Sequence, residues 1–387
     1  VFSSVPARLL IGRAAPLLSC VLLGLLFLGN ASPVSAVEIP SYLPHYDLEI
    51  HLDTEQHVAH VKQRVTWINP QECPTKELVF NAHSRYVVPD DQIGFMAKML
   101  EIMRMMPSEA LITGEPAFQL DKVSLLQSPP VGALKLSTPE PPGEPKFRGQ
   151  QPDADILPLP RSVQPSPQTP QDLPFHWQKD IDTALVVPLP QAIGLGDAVT
   201  VELCFTFKLP NKQGRWGYWK DVTFLTNWLP VLAVYDVKGW QPTPFVPWHL
   251  PWYNEAGVYH AQVTLPCDQK IACSGSIMVE HDLGNGWKQV EISVVARDFA
   301  FLCSARYQAF CGEAGGVKVK VMAFPEHEFY ARFMLKVVCE AIPTFSHWFG
   351  PFPYPEFTVA ESFFGWNGNQ CGDLVMIDER IFAMPHM

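Results

Sequence analysis

The chain has 387 residues, of which 47% are hydrophobic and 17% charged, with 38 Pro, 24 Gly and a formal charge of −11. Length and apolar content place it in the globular class with room for two or three domains, and the many Pro and Gly argue for a β-rich body rather than a helical bundle. The acidic balance, with no basic stripe to offset it, excludes nucleic acid as a natural partner.

In chain order, the first feature is a leader. Arg8 and Arg13 precede the apolar run Leu17–Leu28, which is followed by Pro33-Val34-Ser35-Ala36. A run this short falls below the ~20 residues of a spanning helix, and Val34 and Ala36 suit a signal peptidase. Residues 1–36 are therefore expected to be a signal peptide cleaved before Val37. The protein would then be exported to a periplasmic or extracellular space with no stable membrane span, or held as an anchor if cleavage fails. Cys20 leaves with the leader. Eight cysteines remain: Cys73, Cys204, Cys267, Cys273, Cys303, Cys311, Cys339 and Cys371. An oxidising compartment favours pairing, and Cys267 with Cys273 is the nearest candidate disulfide.

From Val37 the sequence alternates with period two. Tyr46–Asp53 and His60–Trp67 read as a hairpin pair, and Val199–Phe207, Tyr259–Leu265 and Val317–Ala323 repeat the pattern. The expectation is a mainly β chain, with an antiparallel β-sandwich or saddle over residues 37–312. An insertion at about 88–180 interrupts it. Asp91–Met106 has helical spacing, with Ile93, Met96, Leu100 and Met103 on one face. Its methionines are read as core filler rather than copper ligands, because no His or Cys is interleaved. Ser128–Pro174 is proline-rich and is expected to be a surface excursion rather than part of a core.

Beyond Glu313 the pattern changes. Val317–Ala323 is followed by helical spacing over Glu328–Phe349, which Pro343 should kink or end, then a strand at Glu356–Ala360 and a loop through Asp373. Residues 313–387 are read as the start of a second, α+β domain.

No catalytic signature is complete. The one His-Glu pair, His327-Glu328, has Ala331 where a zinc helix of the HExxH kind needs its second His, so His327 is taken as an ordinary surface residue and no metal ligand is assigned. There is no GxSxG elbow, no phosphate loop and no thiol-peptidase signature around Cys371.

Three blocks together resemble the aminopeptidase N family of zinc metallopeptidases, in its more distant branches. They are Asn227–Asp236 with Gly239-Trp240, Ala296–Phe301, and Phe349–Pro355 leading through Glu361 and Ser362 to the loop. The resemblance implies a β domain followed by the truncated start of an α+β metallopeptidase catalytic domain. It sets Gln370 where the family's GxMEN loop carries the Glu that binds the substrate's α-ammonium, with Gly368 and Asn369 beside it. A glutamine keeps an acceptor but loses the charge, which weakens amine recognition. Glu361 or Asp373 is expected to supply the missing carboxylate. The plainer reading of the loop is a connector whose aromatics cap the domain interface. The family's zinc ligands lie downstream of this loop, so zinc is expected only in a full-length form and hydrolysis is not expected of these residues alone. The expected partner is a peptide substrate or ligand. A non-catalytic extracellular β module that binds peptide or protein is the alternative.

Overall fold

The computed structural model describes residues 39–127, 170–247, 253–364 and 368–382. The leader 1–36, nearly all of the proline-rich stretch and residues 365–367 of the loop lie outside the described residues.

Strands β1 (His45–Asp53), β2 (Val58–Ile68) and β3 (Thr75–Asn81) come first. Two helices follow, α1 (Ile93–Ile102) and α2 (Pro107–Ala110), and then β4 (Phe118–Gln127), β5 (Gln171–Asp172), β6 (His176–Trp177), β7 (Ala184–Ile193) and β8 (Ala198–Lys208). A run of short strands comes next: β9 (Trp216–Trp219), β10 (Val222–Leu225), β11 (Val231–Leu232), β12 (Val234–Asp236) and β13 (Gly239–Gln241). The β region closes with β14 (Gly257–Pro266), β15 (Lys270–Cys273), β16 (Ser276–Gly284), β17 (Trp287–Ala296) and β18 (Phe301–Ser304).

Eight of these strands form one sheet in the order β16-β17-β14-β1-β2-β8-β4-β5. Its pairs are antiparallel except β1 with β14, which run parallel. Alternation explains its two faces. Leu48, Ile50 and Leu52 of β1, Val61 and Val65 of β2, and Leu203, Phe205 and Phe207 of β8 all point inward and are buried. They pack in one core with residues of two four-stranded sheets, β11-β3-β7-β6 and β15-β18-β10-β9, and of the turn before β18, including Phe80, Leu185, Phe299 and Phe301. The mainly β, sandwich-like architecture is thus present. On β2 the inward Gln63 is polar, and it donates from Nε2 to the Pro230 carbonyl at 2.5 Å, which ties β2 to the opposite layer. Tyr46 and Tyr259 stack at 4.6 Å, and a Cβ on Gly257 would collide with the Tyr46 ring.

The insertion differs from its expected outline. Met96, Leu100 and Met103 are buried in a small core of their own with Val88 and Leu111, and Ile93 packs beside them. The helix stops at Ile102, and Arg104 turns the chain with φ +56°. β4 then returns to the large sheet and pairs with β8. Register shifts between Leu120 and Lys122 and between Leu125 and Gln127 break its alternation, which is why the strand is hidden in the sequence.

A separate five-stranded sheet opens with β19 (Gln308–Ala314), which pairs antiparallel with β20 (Val317–Ala323). Helix α3 (Glu328–Phe349) follows, then β21 (Glu356–Ser362), β22 (Gly368–Cys371), β23 (Leu374–Asp378) and the short α4 (Glu379–Phe382). The sheet order is β19-β20-β21-β23-β22, with β20, β21 and β23 mutually parallel and β22 antiparallel at the end. α3 runs through Pro343 to Phe349 without ending there. Thr344 Oγ1 donates to the Glu340 carbonyl at 2.8 Å, satisfying an acceptor next to the one the proline leaves open. Met334 and Val338 of α3 pack on the sheet, whereas Phe329, Phe333 and Val337 are exposed. The other face of this sheet buries Met322, Ala360, Leu374 and Met376 against Val222, Phe224, Ala300 and Leu302 of the β region. The described residues form one compact unit. No helix among the described residues is long and apolar enough to cross a membrane.

Candidate functional site

The site grows from the end strand β22. Successive residues of a strand point to opposite faces, so Asn369 and Gln370 cannot act on one side together. Asn369 and Cys371 face the β region and are buried, whereas Gln370 is exposed on the other face, its Nε2 donating to the Gly372 carbonyl at 2.7 Å. Gly368 pairs with Ile377, and a Cβ there would strike the Met376 carbonyl, so β22 and β23 approach as closely as only glycine allows.

The carboxylates expected to assist Gln370 are committed elsewhere. Glu361 has no exposed surface. Its Oε2 accepts from the Phe324 N–H at 2.9 Å, its Oε1 lies 2.6 Å from His327 Nδ1, and burial raises its pKa, partly countered by these bonds. His327 is therefore not an ordinary surface residue, since it caps a buried carboxyl and stacks near Phe382. Asp373 is also buried, its Oδ1 accepting from the Gly275 N–H at 2.7 Å, and burial pushes its pKa up to about 6. Both acids fasten parts of the fold together.

Toward the β region, Asn369 meets a polar node that residue spacing alone did not single out. Arg215 donates from Nη1 to Asn227 Oδ1 at 3.0 Å and to Asn369 Oδ1 at 3.1 Å. Asn369 Nδ2 reaches Thr226 Oγ1 at 3.4 Å, and that hydroxyl donates to the Arg215 carbonyl at 2.9 Å. Asn227 takes a left-handed backbone, φ +51°, which Asn tolerates better than most residues. This turns its N–H onto Asp298 Oδ2 at 2.6 Å. The Cys371 thiol points at the same oxygen from 3.7 Å. Burial raises Asp298 to about 7, the Asn227 N–H opposing it, and pushes the Cys371 thiol well above its ordinary range. Burial lowers Arg215 to about 10, where it still carries its charge at neutral pH. In the sequence, Asn227 and Asp298 fall within the blocks that carry the resemblance, whereas Arg215, in Gly214-Arg215-Trp216, lies outside all three.

Beside this node lies a cavity of about 70 Å³, walled by Val88 and Leu111 of the helical insertion, Trp216, Phe245, Phe364 and Arg215. The Arg215 guanidinium sits 5.4 Å from the centre of the Phe364 ring. Two backbone bonds fix the wall: Gln213 N–H to Glu109 carbonyl at 2.6 Å and Gly214 N–H to Phe363 carbonyl at 3.1 Å.

The remaining expectations concern thiols and metal. Cys267 and Cys273 do not form a disulfide: Cys267 is exposed with its thiol toward Asp282, and Cys273 is buried with its thiol toward the Gly275 carbonyl. They stand at opposite ends of the turn and strand leading through β15, which carries their side chains apart. A zinc centre needs three protein ligands around one point. Among the described residues no three His, Cys, Asp or Glu side chains are so grouped, so these residues do not fit a zinc ion.

No protein-family profile and no curated protein matches the sequence. Among solved structures, the chain is similar to a mutant of the M1 zinc metallopeptidase from Deinococcus radiodurans, with 12% identity and a TM-score of 0.49, covering 89% of this chain and 61% of that one. A two-domain M1 zinc metallopeptidase mutant bound to L-arginine gives 12% identity and a TM-score of 0.49, covering 87% and 60%. This chain spans about three fifths of the length of either.

Proposed function

We propose that this chain is the N-terminal portion of an exported aminopeptidase N-like metallopeptidase, in which it provides the β scaffold and one wall of a peptide site. The observation that carries the reading is the convergence of the resembling blocks on one buried node. Asn227 from the first block and Asp298 from the second are directly bonded, and Arg215 links Asn227 to Asn369 in the loop that follows the third. Residues this far apart in sequence meet where β22 packs against the β region. On this reading the leader 1–36 directs export, and zinc with its activated water belongs to a full-length form.

What these residues do is bind and orient. β22 lies at the end of its sheet and pairs with β23 alone among the described strands, so its outer edge can take an extended peptide by strand addition. Gln370 presents a neutral amide there, not a carboxylate. The second reading, a peptide-binding module without hydrolysis, is favoured by that substitution and by the burial of Glu361 and Asp373.

Calorimetric titration of the purified protein with short extended peptides tests the wall. Free and N-acetylated peptides are expected to bind within a few-fold of each other, and N-methylation of alternate residues to weaken binding about tenfold by removing backbone donors. Insensitivity to N-methylation, or no binding, would remove strand addition.

A further inference from the structure

The cavity beside Arg215 has a chemical bias that strand addition does not use. Its apolar walls come from the helical insertion, with Val88 and Leu111, and from two distant segments, with Phe245 and Phe364. Among the described residues that line it, none is acidic. Two of its polar groups are buried donors: Arg215, 8% exposed, and Trp216, 3% exposed. The Trp216 Nε1–H is buried and has no hydrogen-bond partner. A buried indole N–H without an acceptor costs about 1–3 kcal/mol, so an occupant that supplies one is favoured. Asp298, the carboxyl linked electrostatically to Arg215, is not part of the wall and accepts instead from the Asn227 N–H and the Cys371 thiol.

We propose that this cavity is a binding site for a small branched aliphatic carboxylate, its apolar body against Val88, Leu111 and Phe245 and its carboxylate oxygens accepting from Trp216 and drawn by Arg215. Size sets the class. A space of about 70 Å³ walled mostly by apolar side chains suits a small, compact molecule rather than a peptide. Charge sets the sign, since an arginine and a tryptophan are among the described residues that line the space and no acidic residue is. The site is independent of strand addition at β22 and stands or falls separately from it.

The test uses isovalerate, its neutral isostere isovaleramide and its cationic counterpart isopentylamine as probes, followed by the ¹⁵N-indole resonance of Trp216, assigned through Trp216→Phe. The expected result is a saturable shift with isovalerate in the millimolar range, weaker binding of the amide by about threefold or more, and none of the amine. Leu111→Phe, which fills the space and leaves the indole in place, should abolish the shift without lowering the melting temperature by more than a few degrees. No saturable shift with isovalerate, an amine that binds as well as the acid, or unchanged isovalerate binding in Leu111→Phe would each overturn the assignment. Should Trp216→Phe fail to fold, Leu111→Phe still decides the question.

Discussion

The carboxyl of Asp298 accepts the backbone N–H of Asn227 at 2.6 Å, 71 positions away in the sequence, inside a site that is nearly closed to solvent. This contact joins the end of the β domain to the turn that carries Arg215's partner. Removing the acceptor strands a buried N–H. Asp298→Ala is expected to destabilise the protein by about 1–3 kcal/mol, whereas Asp298→Asn, which keeps an oxygen, should cost less than about 1 kcal/mol. Urea unfolding of both variants checks this, and equal losses would show that the acceptor is not what matters.

The same residue makes stability depend on pH. Burial holds Asp298 near 7 and Asp373 near 6, both above the ordinary 3.8. The folded protein therefore keeps these protons to higher pH than the unfolded chain does. Their contribution is fully present below about pH 4 and is lost as pH rises through 6 to 7, each tenfold difference in proton affinity between folded and unfolded chain being worth about 1.4 kcal/mol. Unfolding midpoints should fall between about pH 5 and pH 8, and Asp298→Asn should remove much of the fall. A midpoint that rises over this range in the wild type would contradict the assignment.

Gln370 and Glu361 separate by the surroundings they occupy. Gln370→Glu restores a carboxylate at the exposed position and should favour free over N-acetylated peptides by about five- to tenfold, the difference between a neutral and a charge-assisted bond. Glu361→Gln should leave peptide affinity unchanged, because that side chain answers to Phe324 and His327. Paired calorimetric titrations distinguish the two, and a loss of binding in Glu361→Gln would place it in the site after all.

Thiol accessibility follows burial. In the native state Cys73, Cys267 and Cys311 should react readily with an aromatic disulfide reagent, while Cys273, Cys303 and Cys371 should react only after denaturation. Burial pushes Cys273 and Cys303 up to about 12, which suppresses the thiolate further. A peptide map that linked Cys267 to Cys273 in the native protein would refute the free-thiol arrangement.

Much of the scaffold was legible because its signals are local. β1, β2, β8, β14 and β20 follow the period-two pattern to within two residues at each end, and α3 covers the expected residues but does not end at Pro343. β4 was not legible, since its register shifts erase the alternation that defines a half-buried strand. The site was legible only in outline. Gly368, Asn369 and Gln370 do form one strand, but which of them faces the β region depends on pairing with β23, which no local pattern encodes. The partners of Glu361 and Asp298 stand 34 and 71 positions away, so their commitment to structure could not be read from spacing.

Amide hydrogen exchange with and without a saturating extended peptide addresses the account most directly. Strand addition predicts slowed exchange concentrated in Gly368–Cys371, with the buried node around Arg215 and Asp298 already slow in the free protein. Peptide binding that leaves those four amides unchanged and protects a different surface would contradict it.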